Sequence, residues 1–155
     1  MFRTPLAYAL LAFAAPGLSA TAPGTTTTAA KPAAPRITNA WVRLNPVPGR
    51  PSAGYLTIAG TGTPDRLTAV TAPGARIEMH SMSMAGGVMK MAKLDGLDIS
   101  ANAATSFAPG GNHLMIFGLS GTPKTLPITL GFASGKTATV TAEIKAAGDD
   151  AHAGH

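Results

Sequence analysis

The chain predicts an all-β sandwich. Three observations point there. Glycine and proline, 18 and 13 of the 155 residues, interrupt residues 36–145 roughly every 8 to 15 positions. The segments between them are short and in places β-branched, as strands bounded by turns are. Nowhere does an apolar pattern of helical period persist over the roughly 10 to 12 residues that a helix needs.

The candidate strands follow in order. Ile37 to Leu44 carries Trp41 and Val42 and runs into a Pro-rich stretch. Ala53 to Ala59 holds Tyr55 and Ile58 and stops at the turn residues Gly60 to Thr63. Leu67 to Thr71 precedes Pro73 and Gly74. Arg76 to Met82 and Val88 to Leu94 flank Gly86 and Gly87, a pair that readily forms a tight hairpin turn. Thr105 to Phe107 precedes a turn at Pro109, Gly110, Gly111 and Asn112, after which His113 to Leu119 resumes the extended pattern. Leu126 to Phe132 and Thr137 to Ile144 complete the set, the last with the cleanest polar and apolar alternation. Trp41 and Tyr55 read as packing residues.

Together these strands define one domain, residues 36–145, large enough for a single core. The flanks differ in composition. Met1, Phe2 and Arg3 lead into an apolar run from Leu6 to Ala15, closed by Pro16, Gly17 and the segment Leu18, Ser19, Ala20. That is the layout of a secretory signal over residues 1–20, too short to span a bilayer, which takes about 20 apolar residues. Residues 21–35, mostly Thr, Ala, Pro and Gly, cannot bury enough apolar surface to order themselves and read as a flexible linker. Residues 146–155 form a short polar tail with His152 and His155. No later segment is long and apolar enough to cross a membrane, so the mature protein is expected to be exported and free of a membrane span.

The formal charge of +5 falls to +4 when Arg3 leaves with the signal. The remaining cations are scattered singly along the sequence, without interleaved aromatics, which argues against nucleic acid as a partner. A surface of this kind suits solubility or an acidic protein partner. The chain has no cysteine, which removes disulfides and thiolate metal ligands together.

What the sequence concentrates instead is methionine. Met79, Met82, Met84, Met89 and Met91 fall within thirteen residues, and His80, His113 and Met115 complete a set of neutral donors. Thioether sulfur and imidazole nitrogen suit Cu(I) better than any hard cation. Strand geometry divides the set. If Gly86 and Gly87 form a two-residue type I′ loop, Ala85 pairs with Val88 and Met82 faces Met91. His80 then lies diagonal to Met91 on the same face, about 7 to 8 Å away. Shifting the loop by one residue, to Ala85 and Gly86, would put His80 directly opposite Met91 instead. His113 and Met115, two apart on one strand, share a side, while Leu114 and Ile116 point to the core. The turn before His113 puts this pair at a strand end, so a shallow site at one end of the sandwich is expected. Phe117 shares the parity of the pair, which predicts that this face becomes buried beyond the site.

The order His80, ten residues, Met91, twenty-one residues, His113, Leu114, Met115 resembles the H-x10-M-x21-H-x-M motif of the periplasmic copper chaperone family PCu(A)C. The likeness extends through Ala40 to Arg43, Ala53 to Leu56, Asp65 to Leu67 and Pro109 to Gly111. Asn112 stands where many members carry an aromatic residue. The resemblance implies a cupredoxin-like Greek-key β-sandwich that binds Cu(I) through His80, Met91, His113 and Met115. It also implies delivery of copper to the binuclear centre of cytochrome c oxidase subunit II, with other periplasmic copper chaperones as further partners.

The remaining donors read differently. Met82 and Met84 are auxiliary candidates, as loading ligands or adaptable contacts. Met79, of opposite parity to His80, and Met89, outside the motif, read as ordinary strand packing. Glu78 shares the face of His80 and is a candidate acceptor behind it. His152 and His155, with Asp149 and Asp150, are nitrogen and oxygen donors of the kind Cu(II) prefers. No Ser-His-acid set or cysteine nucleophile supports an enzyme, and a blue-copper electron carrier would require a cysteine thiolate. Copper buffering without a dedicated acceptor is the alternative to delivery.

Overall fold

Among the described residues there are ten strands, β1 (Ile37–Arg43), β2 (Ser52–Ile58), β3 (Asp65–Thr71), β4 (Arg76–Ala85), β5 (Val88–Leu94), β6 (Leu97–Ile99), β7 (Thr105–Phe107), β8 (His113–Phe117), β9 (Thr125–Phe132) and β10 (Thr137–Lys145). The computed structural model describes residues 34–121 and 123–147. The expected signal segment, most of the linker and the tail histidines His152 and His155 lie outside the described residues. Among the described residues no helix is long and apolar enough to cross a membrane.

Hydrogen bonding orders the strands β5-β4-β8-β2-β1-β10-β9-β3-β6, with β7 attached to β2. The β1 and β10 pair is parallel and the other pairs are antiparallel. The sheet folds back on itself. Consecutive β3 and β4 lie near opposite ends of that order and yet contact each other. Inward residues of both halves, including Leu56, Ile58, Leu67, Met79, Leu114, Ile128 and Phe132, make one buried cluster. Strand alternation sends every second side chain into it. This is the sandwich the sequence predicts, with one addition. Three-residue β6 is too short to show a periodic pattern and is held by pairing with Asp65 to Leu67 of β3.

The cleanest alternation in the sequence, on β10, does not mark the deepest strand. Of the β10 residues Ala142 is fully buried, whereas Leu126, Ile128, Leu130 and Phe132 all bury on β9. Alternation reports that a strand has two different faces, not how thickly either is covered.

Two local features place β8. Gly54 of β2 pairs with Leu114, and a Cβ at Gly54 would meet Ile116 Cδ1 at 3.0 Å and Leu114 Cβ at 3.2 Å. Only glycine lets the inner side chains of β8 lie this close over β2. On the other edge of β8, Arg76 to His80 of β4 pair with Phe117 to His113. Strand β4 is ten residues long and β8 five, so β4 outruns its neighbour beyond His80. From Ser81 to Ala85 its strand partner among the described residues is β5 alone. The hairpin tip overhangs the end of the sandwich, which is why Met84, Val88 and Met89 are exposed.

Candidate metal centre

The hairpin has the first of the two expected registers. Gly86 and Gly87 both have positive φ, 60° and 77°, which a type I′ turn requires and glycine supplies without steric cost. Ala85 pairs with Val88, Met84 with Met89, Met82 with Met91 and His80 with Lys93. His80 is therefore diagonal to Met91. On its other edge His80 pairs with His113, and Glu78 pairs with Met115. Pairing and period-two alternation put Glu78, His80, Met82, Met91, His113 and Met115 on one face of three adjacent strands.

The two imidazoles are close, with ring centroids 6.0 Å apart and planes 28° from parallel. Each has one nitrogen fixed by an acceptor. His113 Nδ1 lies 3.1 Å from the Gly111 carbonyl. A carbonyl only accepts, so Nδ1 carries the proton and Nε2 keeps its lone pair. His80 Nε2 lies 3.1 Å from a Glu78 carboxylate oxygen, which by the same logic protonates Nε2 and leaves the lone pair on Nδ1. That Nδ1 is buried and has no hydrogen-bond partner. An unpartnered buried nitrogen costs stability, and a metal ion is a partner that removes the cost. The donor set around it is soft and neutral, so the residues fit Cu(I). Among the described residues no three His, Asp or Glu side chains converge as a cage for a harder ion.

Charge behind the site is organised by Glu78. Its carboxylate receives Arg76 Nη1 at 2.5 Å and Lys93 Nζ at 3.4 Å in addition to His80. Its side chain is only 15 % exposed. The hydrogen bond with His80 is the largest influence holding the carboxyl below its ordinary value. Lys93 and Arg76 add to it, and partial burial opposes them. Arg76 also stacks its guanidinium 4.3 Å from the centre of the Phe117 ring, which half-covers the far end of this face, as the parity of Phe117 leads one to expect. The sequence points to Glu78 by parity alone. Lys93 could have been found the same way, since the hairpin register that pairs Met82 with Met91 also pairs His80 with Lys93.

Exposure grades across the site. His113 is 6 % exposed and Met91 52 %, so the histidines form the floor and Met91 the rim. Met82, Met91, His113 and Met115 line an open cleft of about 480 Å³, with Arg43, Arg50, Tyr55 and Pro109 around its mouth. Tyr55 is buried, tilts against Trp41 at 4.5 Å between ring centres, and its hydroxyl accepts from Arg43 Nη2 at 3.2 Å. It is thus a packing residue that also forms a wall of the cleft. Met79, by contrast, is 6 % exposed in the core. Met89 departs from the packing role expected of it. It is 47 % exposed and, opposite Met84, lies on the same face as the site, because two strands of the same hairpin share their parity.

The curled β-sandwich has the cupredoxin-like fold of PCuAC domains. The copper-bound PCuAC domain from PmoF2 has this fold, with a TM-score of 0.60 at 21 % identity over 74 % of this chain and 94 % of that one. The solution structure of CuI-DR1885 from Deinococcus radiodurans matches with a TM-score of 0.52 at 26 % identity, over 81 % of this chain and 87 % of that one. In sequence the chain is 25 % identical over 114 residues to a protein of Leifsonia xyli subsp. xyli described as lipoprotein Lxx21020, covering 71 % of this chain and 69 % of that protein. The profile of the LpqE-like lipoprotein family matches residues 36–144. The chain belongs to the LpqE-like family.

Proposed function

We propose that the protein is an exported, periplasmic copper metallochaperone. It binds Cu(I) through His80 Nδ1, His113 Nε2, Met91 and Met115 and hands it to a copper-enzyme acceptor, the copper domain of cytochrome c oxidase subunit II. The observation that carries this reading is the pair of imidazoles, ring centroids 6.0 Å apart, each with one nitrogen tied to an acceptor and the other left as a donor for a metal, on strands whose shared face also holds the thioethers. The likeness to a copper-bound PCuAC domain and to CuI-DR1885 supports copper as the cargo. The lipoprotein descriptions of the family and of the Leifsonia xyli relative support export.

Transfer proceeds by ligand exchange. Met91, half-exposed at the rim, leaves first as an acceptor ligand arrives. Met115 and the histidines follow, and the ion is never free. Weak neutral ligands make each exchange low in barrier, and burial of His113 keeps water from the last bonds to break.

Two measurements test this. The double variant Met91→Leu/Met115→Leu keeps volume and removes sulfur, so Cu(I) affinity measured against a competing chelator should fall while the fold stays intact. Unchanged affinity would remove both residues from the ligand set. Mixing the Cu(I)-loaded protein with the apo copper domain of the oxidase should move metal to that domain faster than to a small chelator of equal affinity. Absence of transfer favours a copper buffer without a dedicated acceptor.

A further inference from the structure

The methionine face does not end at the primary ligands. Beyond His80 it continues as two cross-strand rungs, Met82 opposite Met91 and then Met84 opposite Met89 at the tip. Met84 is 68 % exposed and Met89 47 %. Ordinary packing does not explain them, since among the described residues β4 beyond His80 pairs with β5 alone and both methionines stay exposed. Every position on this face from the turn inward to His80 is a methionine. Successive rungs are about 7 Å apart along the strands, and partners within a rung about 4.5 to 5.5 Å apart. A methionine side chain turns about three bonds, so a thioether of one rung can reach an ion held at the next.

We propose that Met84 and Met89, joined by Met82, form a second, thioether-only Cu(I) capture site at the hairpin tip that loads the His80/Met91/His113/Met115 site. This rests on the Cu(I) reading of that deeper site. The capture site has sulfur donors alone and lies at the exposed hairpin tip, so it binds weakly and fast. The deeper site adds two imidazole nitrogens on a buried floor, so it binds more tightly. Copper moves down the ladder as a sulfur bond from Met82 or Met91 forms while one from Met84 or Met89 breaks. The ion stays Cu(I) throughout, no proton is exchanged, and Met91 is shared by ladder and site so that hand-over is continuous. Met82, a neighbour of both rungs, is the hinge of the transfer.

The experiment uses the full chain with 13C-methyl methionine and Ag(I), a redox-stable ion of the same soft d10 type. In wild type, Met91 and Met115 methyl resonances should shift first and those of Met84 and Met89 with further Ag(I). In His80→Ala/His113→Ala, Met84 and Met89 should still shift. In Met84→Leu/Met89→Leu, exposed positions whose change spares the core, stopped-flow loading of the deep site from a Cu(I) chelate should slow several-fold. Shifts at Met91 and Met115 with none at Met84 and Met89 would overturn the capture site and leave the chaperone reading standing. Wild-type loading by the leucine pair would overturn its role in loading. If none of the four methyls responds in wild type, the copper reading itself falls, and the capture site with it.

Discussion

Strand β4 carries methionine on both faces, and the two faces do opposite work. Inward, Met79 lies between Leu94 of β5 and Leu114 of β8 and is 6 % exposed. Outward, one residue on, His80 begins a face of nitrogen and sulfur that ends in Met84, 68 % exposed. The side-chain chemistry of Met79 and Met91 is identical. Parity alone decides whether the thioether fills the core or joins the outer face proposed to hold copper, because a one-residue slip would exchange the faces. The Gly86-Gly87 turn, with both φ positive, pins the register and so assigns each methionine its face.

The largest expected effect follows from that contrast. Met79→Ala should lose about 2 to 5 kcal/mol of stability, the usual loss for a buried methionine, with the fold retained at low urea. Met91→Ala, at a half-exposed position, should stay within about 0.5 kcal/mol and lose Cu(I) affinity instead. Urea unfolding of both variants, beside chelator competition, separates the two faces. Comparable destabilisation by both substitutions would mean that the outer methionines are packing after all, and the distinction between the faces would collapse.

Much of this was legible because the relevant rules are local. Gly-Gly between two apolar runs sets a hairpin, and a hairpin sets parity, so the sharing of one face by His80 and Met91 could be read directly. The position of Met89 was equally accessible, and its exposure was not. Exposure depends on β4 outrunning β8 by five residues, and the end of β8 is fixed by the Pro109 to Asn112 turn and by contact with Gly54, a residue nearly sixty positions away in sequence. The same holds for the bulge in β1, where pairing with β2 shifts between Thr38 and Trp41 and Asn39 takes φ of 52°. Asn39 is of the residue type that most readily takes positive φ, but its presence alone does not say that the pairing shifts there. Arg76, Glu78 and His80 alternate along β4 and share a face by parity, and the hairpin register adds Lys93, but that Arg76, His80 and Lys93 all close on the one carboxylate depends on side-chain placement that parity does not give.

A smaller effect tests how the outer face is held. Glu78→Gln keeps the size of the side chain and removes the charge that fixes His80 with its proton on Nε2. Cu(I) affinity should fall roughly 10-fold, the lower end of what loss of a ligand-orienting partner costs. Nitrogen-15 spectra of the imidazole should show His80 sampling both neutral tautomers in the variant and one in wild type. A single unchanged tautomer with unchanged affinity would mean that strand pairing alone orients the ring, and that Glu78 serves Arg76 and Lys93 only.

The smallest effect belongs to a carboxylate far from the histidine and methionine face. Asp65 opens β3, near the opposite end of the strand order from β4 and β5. It accepts from the Ser134 hydroxyl at 2.6 Å, the Ser134 amide at 3.2 Å and the Arg66 amide at 2.8 Å. The Ser134 hydroxyl is the main influence holding its carboxyl below the ordinary 3.8, with the amides and Lys136 assisting and burial opposing. A folded-state value below the unfolded one stabilises the native state above pH 3.8, and that contribution is lost as pH falls through the folded value. Asp65→Asn should therefore lose about 1 kcal/mol or less at neutral pH, and the gap to wild type should close in urea titrations carried below pH 3.8. Cu(I) affinity at neutral pH should not move, in contrast to Glu78→Gln. A shift in copper affinity in the Asp65 variant would show that the two ends of the sandwich are coupled through the core, and the metal face could then no longer be treated as an independent structure built on β4, β5 and β8.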